Sequence, residues 1–482
     1  MDITKIARVC IGGDVFRFEG GQWHQRHNVA IMEVIAAMLM PGKPVEALTP
    51  ERLGIRPPAN ELRYWLRSLS TPPSARLQST IIKEVSTAGY LGFETPEPIW
   101  DIVSAHAAVA VDLRLHPVRF GRDLLLLVRS NRSLPGGPFP SVVSGLEVAR
   151  KMLMVRARTS AAFPVGPVRS PSAHAALLAL QCPFDSALVR EGSLVGLEDY
   201  ADALSARCAA FDTVLVRAHP LQEPTEATWR AVLQQPSAWI SSDNSYALLT
   251  AGGVSEVISL SSSLLHEASA LGLRAHALDE QLSHGFPVRS EYTSLTLQDL
   301  VQAFAADGGL PAGQGMLPRL EELFGRPAAD AHALDLRETA AVITPGRLTG
   351  ADPRLQPAFG HGWYGVEAWG RWSASRVGVL NFTWPDGRTE ALDMALGVGA
   401  LPRTAAKPAA VEVWSGGRML LRQRLSADAI PTAVCFTVPR PARGEVFQLA
   451  LLGPEPLAPP PLGGVQDPRR LGLSLSYVET AP

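Results

Sequence analysis

Between residues 173 and 310, short runs rich in aliphatic and β-branched residues alternate with stretches of helical spacing. Apolar runs at 177–182, 213–219, 238–242, 256–261 and 273–278 predict five strands, each followed by a helix. Helix starts support this reading: Thr225 precedes an Ala/Trp/Val/Leu pattern, Ser263 precedes 264–271, and Thr296 has Asp299 three residues on, as in a capping box. Strand and helix alternating at this pitch predict a parallel sheet covered by helices on both faces. A looser version fills residues 6–160, with strands expected at 7–11, 90–93, 109–115 and 124–128 and helices at 29–40 and 146–156. Two Rossmann-like α/β halves with a cleft between them are the simplest arrangement.

From about residue 359 the texture changes. Alternating runs at 377–383, 410–414, 419–424, 433–438 and 447–452, separated by Gly, Pro and Asp, predict an antiparallel β-sandwich. The expected organisation is an N-terminal Rossmann-like half at 1–165, a second at 166–335, a Pro/Gly-rich linker at 336–357 and a β-sandwich at 358–482.

Composition narrows the function. With 46% hydrophobic and 19% charged residues the 482-residue chain can bury several cores. Its 44 Lys and Arg against 46 Asp and Glu leave a net charge of -2, which argues against a nucleic-acid partner. Cys10, Cys182, Cys208 and Cys435 stand far apart, as expected of buried thiols in a reducing compartment. No signal-peptide pattern or membrane-length apolar run is present, so a cytoplasmic location is expected. The 41 Gly and 40 Pro mark boundaries: Pro96, Pro183 and Pro220 fall at strand ends, and others crowd 345–357 and 454–461.

In an open parallel sheet ligands bind beyond the carboxyl ends of the strands. Those positions here are polar: Gln181, Cys182, Asp185 and Ser186 after the first strand of the second half, Arg217, His219 and Pro220 after the second, Ser242 to Ser245 after the third, and Ser261, Ser262 and Ser263 after the fourth. Ser262 and Ser263 at a helix start suit either an ordinary N-cap or a phosphate. Glu267, one turn on, suits a ribose diol or an exposed helix surface. His219 can act as general acid or hydrogen-bond a leaving phosphate, or serve structure alone. Asp185 is either a nucleophile or base, or the cap of a turn. Glu94 holds the equivalent strand-end position in the first half. No DxD, P-loop, HExxH or GxSxG motif occurs, and the GxGxxG spelled from Gly360 to Gly365 follows no strand of a βαβ unit. No metal site is expected.

The order Gln181-x-Pro183-x-Asp185-Ser186, Arg217-x-His219-Pro220, Asn244-x-Tyr246 and Ser261-Ser262-Ser263-x-x-x-Glu267 resembles the CMP-sugar half of bacterial capsule and O-antigen transferases that move Kdo, a 3-deoxy-octulosonic acid. Gly92-Phe93-Glu94 and Leu115-His116-Pro117-Val118-Arg119 resemble the acceptor half of the same family. The resemblance covers about residues 7–310; residues 135–170 match nothing in it. It implies a GT-B-like, metal-independent, retaining β-Kdo glycosyltransferase with no cofactor beyond its donor, CMP-β-Kdo. Carried over by motif, Asp185 is the nucleophile of a double displacement and His219 assists departure of CMP. Gln181, Ser186, Arg217, Pro220, Asn244, Ser261 to Ser263 and Glu267 bind the CMP-sugar, and Glu94 activates the acceptor hydroxyl. The Kdo carboxylate calls for a cation, for which Arg114, Arg119, Arg129 and Arg217 are available and Arg119 is favoured. The partners implied are the CMP-sugar donor and a glycan or lipid-linked glycan acceptor, with the chain either free in the cytoplasm or held peripherally at the inner face of the inner membrane by other assembly enzymes.

The segment Gly362-Trp363-Tyr364 through Trp369-Gly370-Arg371-Trp372 resembles the start of β-sandwich modules appended to bacterial glycosyltransferases, and its tryptophans suit either sugar stacking or a core. Two rival functions stand beside the first: an inverting transferase using CMP-sialic acid or another nucleotide sugar, and a non-catalytic glycan-binding or assembly protein.

Overall fold

The structure, a computed structural model, describes residues 6–13, 21–56, 60–116, 125–132, 174–219, 222–243, 245–250, 254–283, 293–296, 300, 340–343, 345–385, 391–401, 409–426, 431–441, 446–459 and 467–481. The chain forms two compact units. One comprises residues 1–157, 189–194 and 284–332; the other comprises 158–188, 195–283 and 333–482.

The first unit is built on strands β1 (Val9–Gly13), β2 (Val45–Ala47), β3 (Gly89–Phe93), β4 (Val109–Leu115) and β5 (Leu125–Ser130). They lie in the order β5-β4-β3-β1-β2, with Thr293–Thr296 beyond β5. The four strands from β2 to β4 are parallel; β5 and Thr293–Thr296 join antiparallel. Successive residues of β1 and β3 alternate between two cores. Val9, Ile11, Leu91 and Phe93 pack with helix Gly21–Leu39 on one face. Cys10 and Tyr90 pack with the helices Glu61–Ser68, Ala75–Val85 and Glu97–His106 on the other. Burial on both faces is why these strands read as continuous apolar runs.

The second unit contains a five-stranded, wholly parallel sheet: β6 (Ala175–Ala179), β7 (Thr213–Arg217), β8 (Ala238–Ile240), β9 (Val254–Ser259) and β10 (Arg274–Ala277), in the order β8-β7-β6-β9-β10. All five expected strands are present, ending two to three residues before the sequence-based limits except at β10, which ends one residue before. Thr225 caps helix Glu226–Leu233 by accepting from Thr228 N at 3.0 Å, and Ser263 precedes helix Leu264–Ala270, both as expected. Thr296 is the last residue of a strand and Leu300 is helical; Asp299, its expected capping partner, lies outside the described residues.

Downstream, β11 (Val377–Thr383), β12 (Leu392–Ala400), β13 (Ala410–Ser415), β14 (Arg418–Arg424), β15 (Thr432–Val438), β16 (Val446–Leu452) and β17 (Leu473–Thr480) form two sheets. One has the order β11-β16-β13-β14, the other β17-β12-β15, all antiparallel, with short strands Ala341–Val342 and Gly346–Thr349 at their margins. Both sheets contribute to a single apolar core, Leu380, Val411 and Leu449 from one and Leu396, Val434 and Leu475 from the other. The alternation of β15 turns Cys435 outward between buried Val434 and Phe436, so this thiol is exposed, contrary to expectation, while Cys10 and Cys208 are buried.

The outer face of the first of these sheets is pinned to the parallel sheet. Gln448 accepts from Ile240 N at 2.8 Å and donates to Ile240 O at 3.1 Å, filling the edge of β8 as a neighbouring strand would. Arg230 makes a two-nitrogen contact with Glu412. Glu223 accepts from Trp229 Nε1 at 2.8 Å, Ser375 Oγ at 2.7 Å and Arg376 N at 3.2 Å. Among the described residues no helix is long and apolar enough to cross a membrane.

Candidate functional site

In the second unit the chain runs outward from β6 to β8 and then crosses back to β9 on the other side of β6. The connections therefore diverge beyond the carboxyl ends of β6 and β9, the place where open α/β sheets leave a crevice. Gln181 follows β6 and Ser261 follows β9, and the two are clipped together. Gln181 Nε2 donates to Ser261 Oγ at 2.9 Å, and Ser261 N donates to Gln181 Oε1 at 2.8 Å. Ser261 Oγ also donates to Ala187 O at 3.2 Å, tying the loop that carries Asp185 and Ser186 to the same point. Gln181 and buried Ser261 thus frame the crevice by bonding each other.

Asp185 heads the short 3-10 turn Ser186–Leu188, with Oδ1 accepting from Ala187 N at 2.9 Å. The turn-capping geometry is realised, and it leaves the half-buried carboxylate oriented by one of its two oxygens. Ser186 beside it is exposed. His219 Nδ1 lies 3.1 Å from Cys182 Sγ, which joins the loops after β7 and β6. The sequence reading noted Cys182 without giving it this role. Arg217 Nη1 donates to Ser241 O at 2.8 Å, linking the ends of β7 and β8. Half-buried Asp243 belongs to the same cluster: burial pushes its carboxyl up, opposed by the Arg217 charge and by its bond with Ser241.

Ser262 Oγ accepts from Leu264 N at 3.2 Å, so one of the three serines caps a turn, whereas Ser263 makes no side-chain cap bond. Glu267 is 2% exposed, not at a free helix surface. This burial excludes the solvated-surface reading of Glu267. Asp279, after β10, accepts from Tyr200 OH; neither was singled out from the sequence, because a lone Asp and a lone Tyr carry no local pattern. Pro220, Asn244 and Arg119 lie outside the described residues.

His361 reaches the helix Glu226–Leu233 of this unit from the segment preceding β11. Its ring is 5.8 Å from that of Trp229, and its Nε2 is sealed from solvent with no hydrogen-bond partner among the described residues. Burial, reinforced by the Arg217 charge, holds the imidazole down at about 4. The Gly-rich spelling around His361 therefore belongs to a chain segment laid along β11, where Gly360 N donates to Val379 O at 3.0 Å and Val379 N to His361 O at 2.9 Å.

The first unit has its own divergence point, between β1 and β3, and Glu94 stands there immediately after β3. Its φ is 53°, a left-handed value uncommon for a residue with a side chain. The next residue explains how it is held. Thr95 N donates to Asp112 Oδ1 at 2.9 Å, Thr95 O accepts from Arg129 Nη2 at 3.1 Å, and Thr95 Oγ1 is 3.0 Å from Tyr90 OH. Arg129 Nε donates to Asp112 at 3.1 Å, Nη1 reaches both oxygens of Glu97 at 2.9 Å, and the guanidinium lies 4.4 Å over Trp100. Arg129 is thus committed to the fold, not available to a sugar carboxylate. Arg114 sits 3.5 Å from Glu97 and 3.9 Å from Asp112 at the margin of the same lattice.

A groove of about 640 Å³ opens elsewhere, beside β8 and the Ser415–Arg418 turn, lined by Phe211, Asp212, Trp239, Trp414, Arg418 and Arg440. Asp212 and Ser237 place it at the amino-terminal ends of β7 and β8, away from the clip. Among the described residues no group of three or more His, Cys, Asp or Glu side chains is placed to hold a metal ion.

No protein-family model matches the chain. No curated protein matches it either. Among solved structures, it is similar to the beta Kdo 2,7 transferase of Thermosulfurimonas dismutans KpsC, at 12% identity over 61% of this chain and 89% of that one, with a TM-score of 0.30. The beta Kdo 2,4 transferase of the same protein gives 14% identity, 66% and 98% coverage and 0.31. A UDP-GlcNAc 2-epimerase from Neisseria meningitidis gives 11%, 66%, 93% and 0.25. Scores this low do not establish a shared fold.

Proposed function

We propose that the chain is a GT-B-like glycosyltransferase that moves Kdo from CMP-β-Kdo to a glycan acceptor in bacterial surface-polysaccharide assembly, carrying its C-terminal sheets as a β-sandwich module. The observation that supports this most is the clip at the divergence point of the parallel sheet. Gln181 and Ser261, which open the first and the last of the motifs, bond each other, and Ser261 also holds the Asp185 loop.

In the proposed reaction Asp185 Oδ2, the carboxylate oxygen not bonded to Ala187 N, attacks the anomeric carbon of Kdo. The bond to the CMP phosphate breaks, and the electron pair leaves on the phosphate oxygen, to which His219 donates a hydrogen bond or a proton. The acceptor hydroxyl then gives up its proton to a general base, the role the family resemblance implies for Glu94, and displaces Asp185, so that two inversions retain the configuration. Ser262, Ser263 and Glu267 hold the nucleotide; hydroxyls, backbone N–H groups and imidazole stabilise the departing phosphate charge without a metal. The capping bond to Ala187 N fixes the carboxylate for attack and so makes the two readings of Asp185 compatible.

Intact-mass measurement after incubation with CMP-β-Kdo tests the nucleophile. The wild-type chain gains the mass of one Kdo residue, and Asp185→Asn gains none and loses transfer by orders of magnitude. Transfer unchanged in that variant overturns the assignment. Consumption of CMP-sialic acid in preference to CMP-β-Kdo, with no adduct, identifies the inverting reaction instead.

A further inference from the structure

The exposed tryptophan of the C-terminal module is a built feature. Glu367 N donates to Gly370 O at 2.8 Å and Gly370 N donates to Glu367 O at 3.1 Å, closing a two-residue turn with Ala368 and Trp369 at its tip. The turn is fixed to the strand behind it: Gly370 has φ 152°, and a Cβ there would stand 2.1 Å from Leu475 O. Trp369 is 40% exposed at that tip. Its Nε1 donates to Glu367 Oε2 at 3.0 Å, and its ring meets Trp372 edge to face at 5.5 Å. The other oxygen of Glu367 accepts from Arg469 Nη1 at 2.8 Å, and Arg469 is gripped in turn by Asp467 through Nε at 3.0 Å and Nη2 at 2.7 Å. Both carboxylates hold the guanidinium in its charged form, and it lies 5.5 Å from the centre of the Tyr364 ring. The indole is a flat apolar plate, immobilised by a hydrogen-bonded ion-pair truss and rimmed by polar groups.

We propose that Trp369 and its rim form a carbohydrate-binding site that takes the apolar C–H face of a pyranose ring. The size of the patch selects this occupant. A stable protein interface covers about 800 Å² per partner, whereas a Trp side chain exposed to this extent offers roughly 100 Å². Membrane attachment draws on a long apolar stripe with basic residues free to meet lipid phosphates; here, among the described residues, Val366 is the one other large exposed apolar side chain next to this turn, and the charges beside the indole are already paired. One indole matches one sugar ring. Glu367, Asp467 and Arg469 retain lone pairs and N–H groups at the rim for ring hydroxyls. The rigidity matters because the site need not order its own side chains on binding. This inference is independent of the transferase reading.

Binding of the full chain to an array of neutral hexose, hexosamine and Kdo-containing oligosaccharides, with no nucleotide sugar present, tests it. The wild-type chain binds at least one pyranose oligomer with a Kd of about 10⁻⁵ to 10⁻³ M. Trp369→Ala weakens that binding at least tenfold, Trp369→Phe weakens it less, and Glu367→Gln gives an intermediate loss by unfixing the ring. Melting temperatures within a few degrees of wild type establish that the variants are folded. Undiminished binding by Trp369→Ala, no binding to any glycan on the array, or Trp369-dependent sedimentation with phosphatidylglycerol vesicles in place of glycan binding each overturns the proposal.

Discussion

Glu94 is held at its unusual backbone angle by neighbours, and Gly92 is what lets those neighbours close. A Cβ at Gly92 would stand 2.1 Å from Thr95 Oγ1 and 2.9 Å from Asp112 Oδ1, so a side chain there must push Thr95 out of the lattice. Gly92→Ala is expected to cost about 1–3 kcal/mol in urea unfolding and to depress transfer beyond what the stability loss explains, because Glu94 loses its setting. Arg129→Leu takes from the fully buried Asp112 its hydrogen-bonded cation and leaves only Arg114, 3.9 Å away; the expected loss is about 3–5 kcal/mol, and Asp112→Asn added to it recovers part. His361 supplies a pH signature at the same scale. Held neutral in the folded chain down to about 4, it takes up a proton on unfolding below its ordinary value of 6.5. The unfolded chain then binds more protons than the folded one, so stability falls as pH drops from 6.5 towards 4 and this contribution is flat above that window. The difference in melting temperature between wild type and His361→Asn should shrink across it.

At the scale of elements, most of the parallel strands were legible because burial on both faces writes strands such as β1, β3, β6 and β9 as apolar runs, and the helix at Thr225 because its cap is a local signal. The short, half-buried parallel strand β2 is not marked in the sequence, nor are β12 and β17. In β12 the glycines Gly397 and Gly399 read as turn signals, whereas they admit the Tyr477, Ser476 and Ser474 side chains of the adjoining strand. The polar residues at the strand ends were also legible, since the alternation locates those ends. Their mutual bonds were not. Nothing local in the chain pairs Gln181 with Ser261, eighty residues apart, or turns Arg129 away from solvent into a carboxylate lattice. The clip gives its own test: in a double-mutant cycle of Gln181→Ala and Ser261→Ala the coupling should be about 0.5–3 kcal/mol, and each single variant should weaken CMP binding. Zero coupling would mean that the two strand ends are held by other contacts.

For the second unit as a whole, the parallel sheet and the antiparallel sheets are joined by directional polar contacts at Glu223, Arg230 and Gln448, with Trp229 beneath. Glu223 serves three donors at once, so Glu223→Ala strands the Trp229 indole N–H and the Arg376 amide and should lower the melting temperature more than truncation of an exposed glutamate does. Gln448→Ala likewise removes both partners of Ile240 and is expected to cost about 1–3 kcal/mol.

The amide of Gln448, occupying the place of an absent sixth strand on β8, also governs how the molecule can be cut. A chain ending before residue 340 would present the backbone of Ile240 to any strand it met, and size-exclusion chromatography should show it self-associating where the full chain does not. The C-terminal module is therefore a lid on an adhesive edge as well as a carrier of its own binding surface. A replacement module would need, in that register, a group that both accepts from and donates to Ile240, as the glutamine amide does.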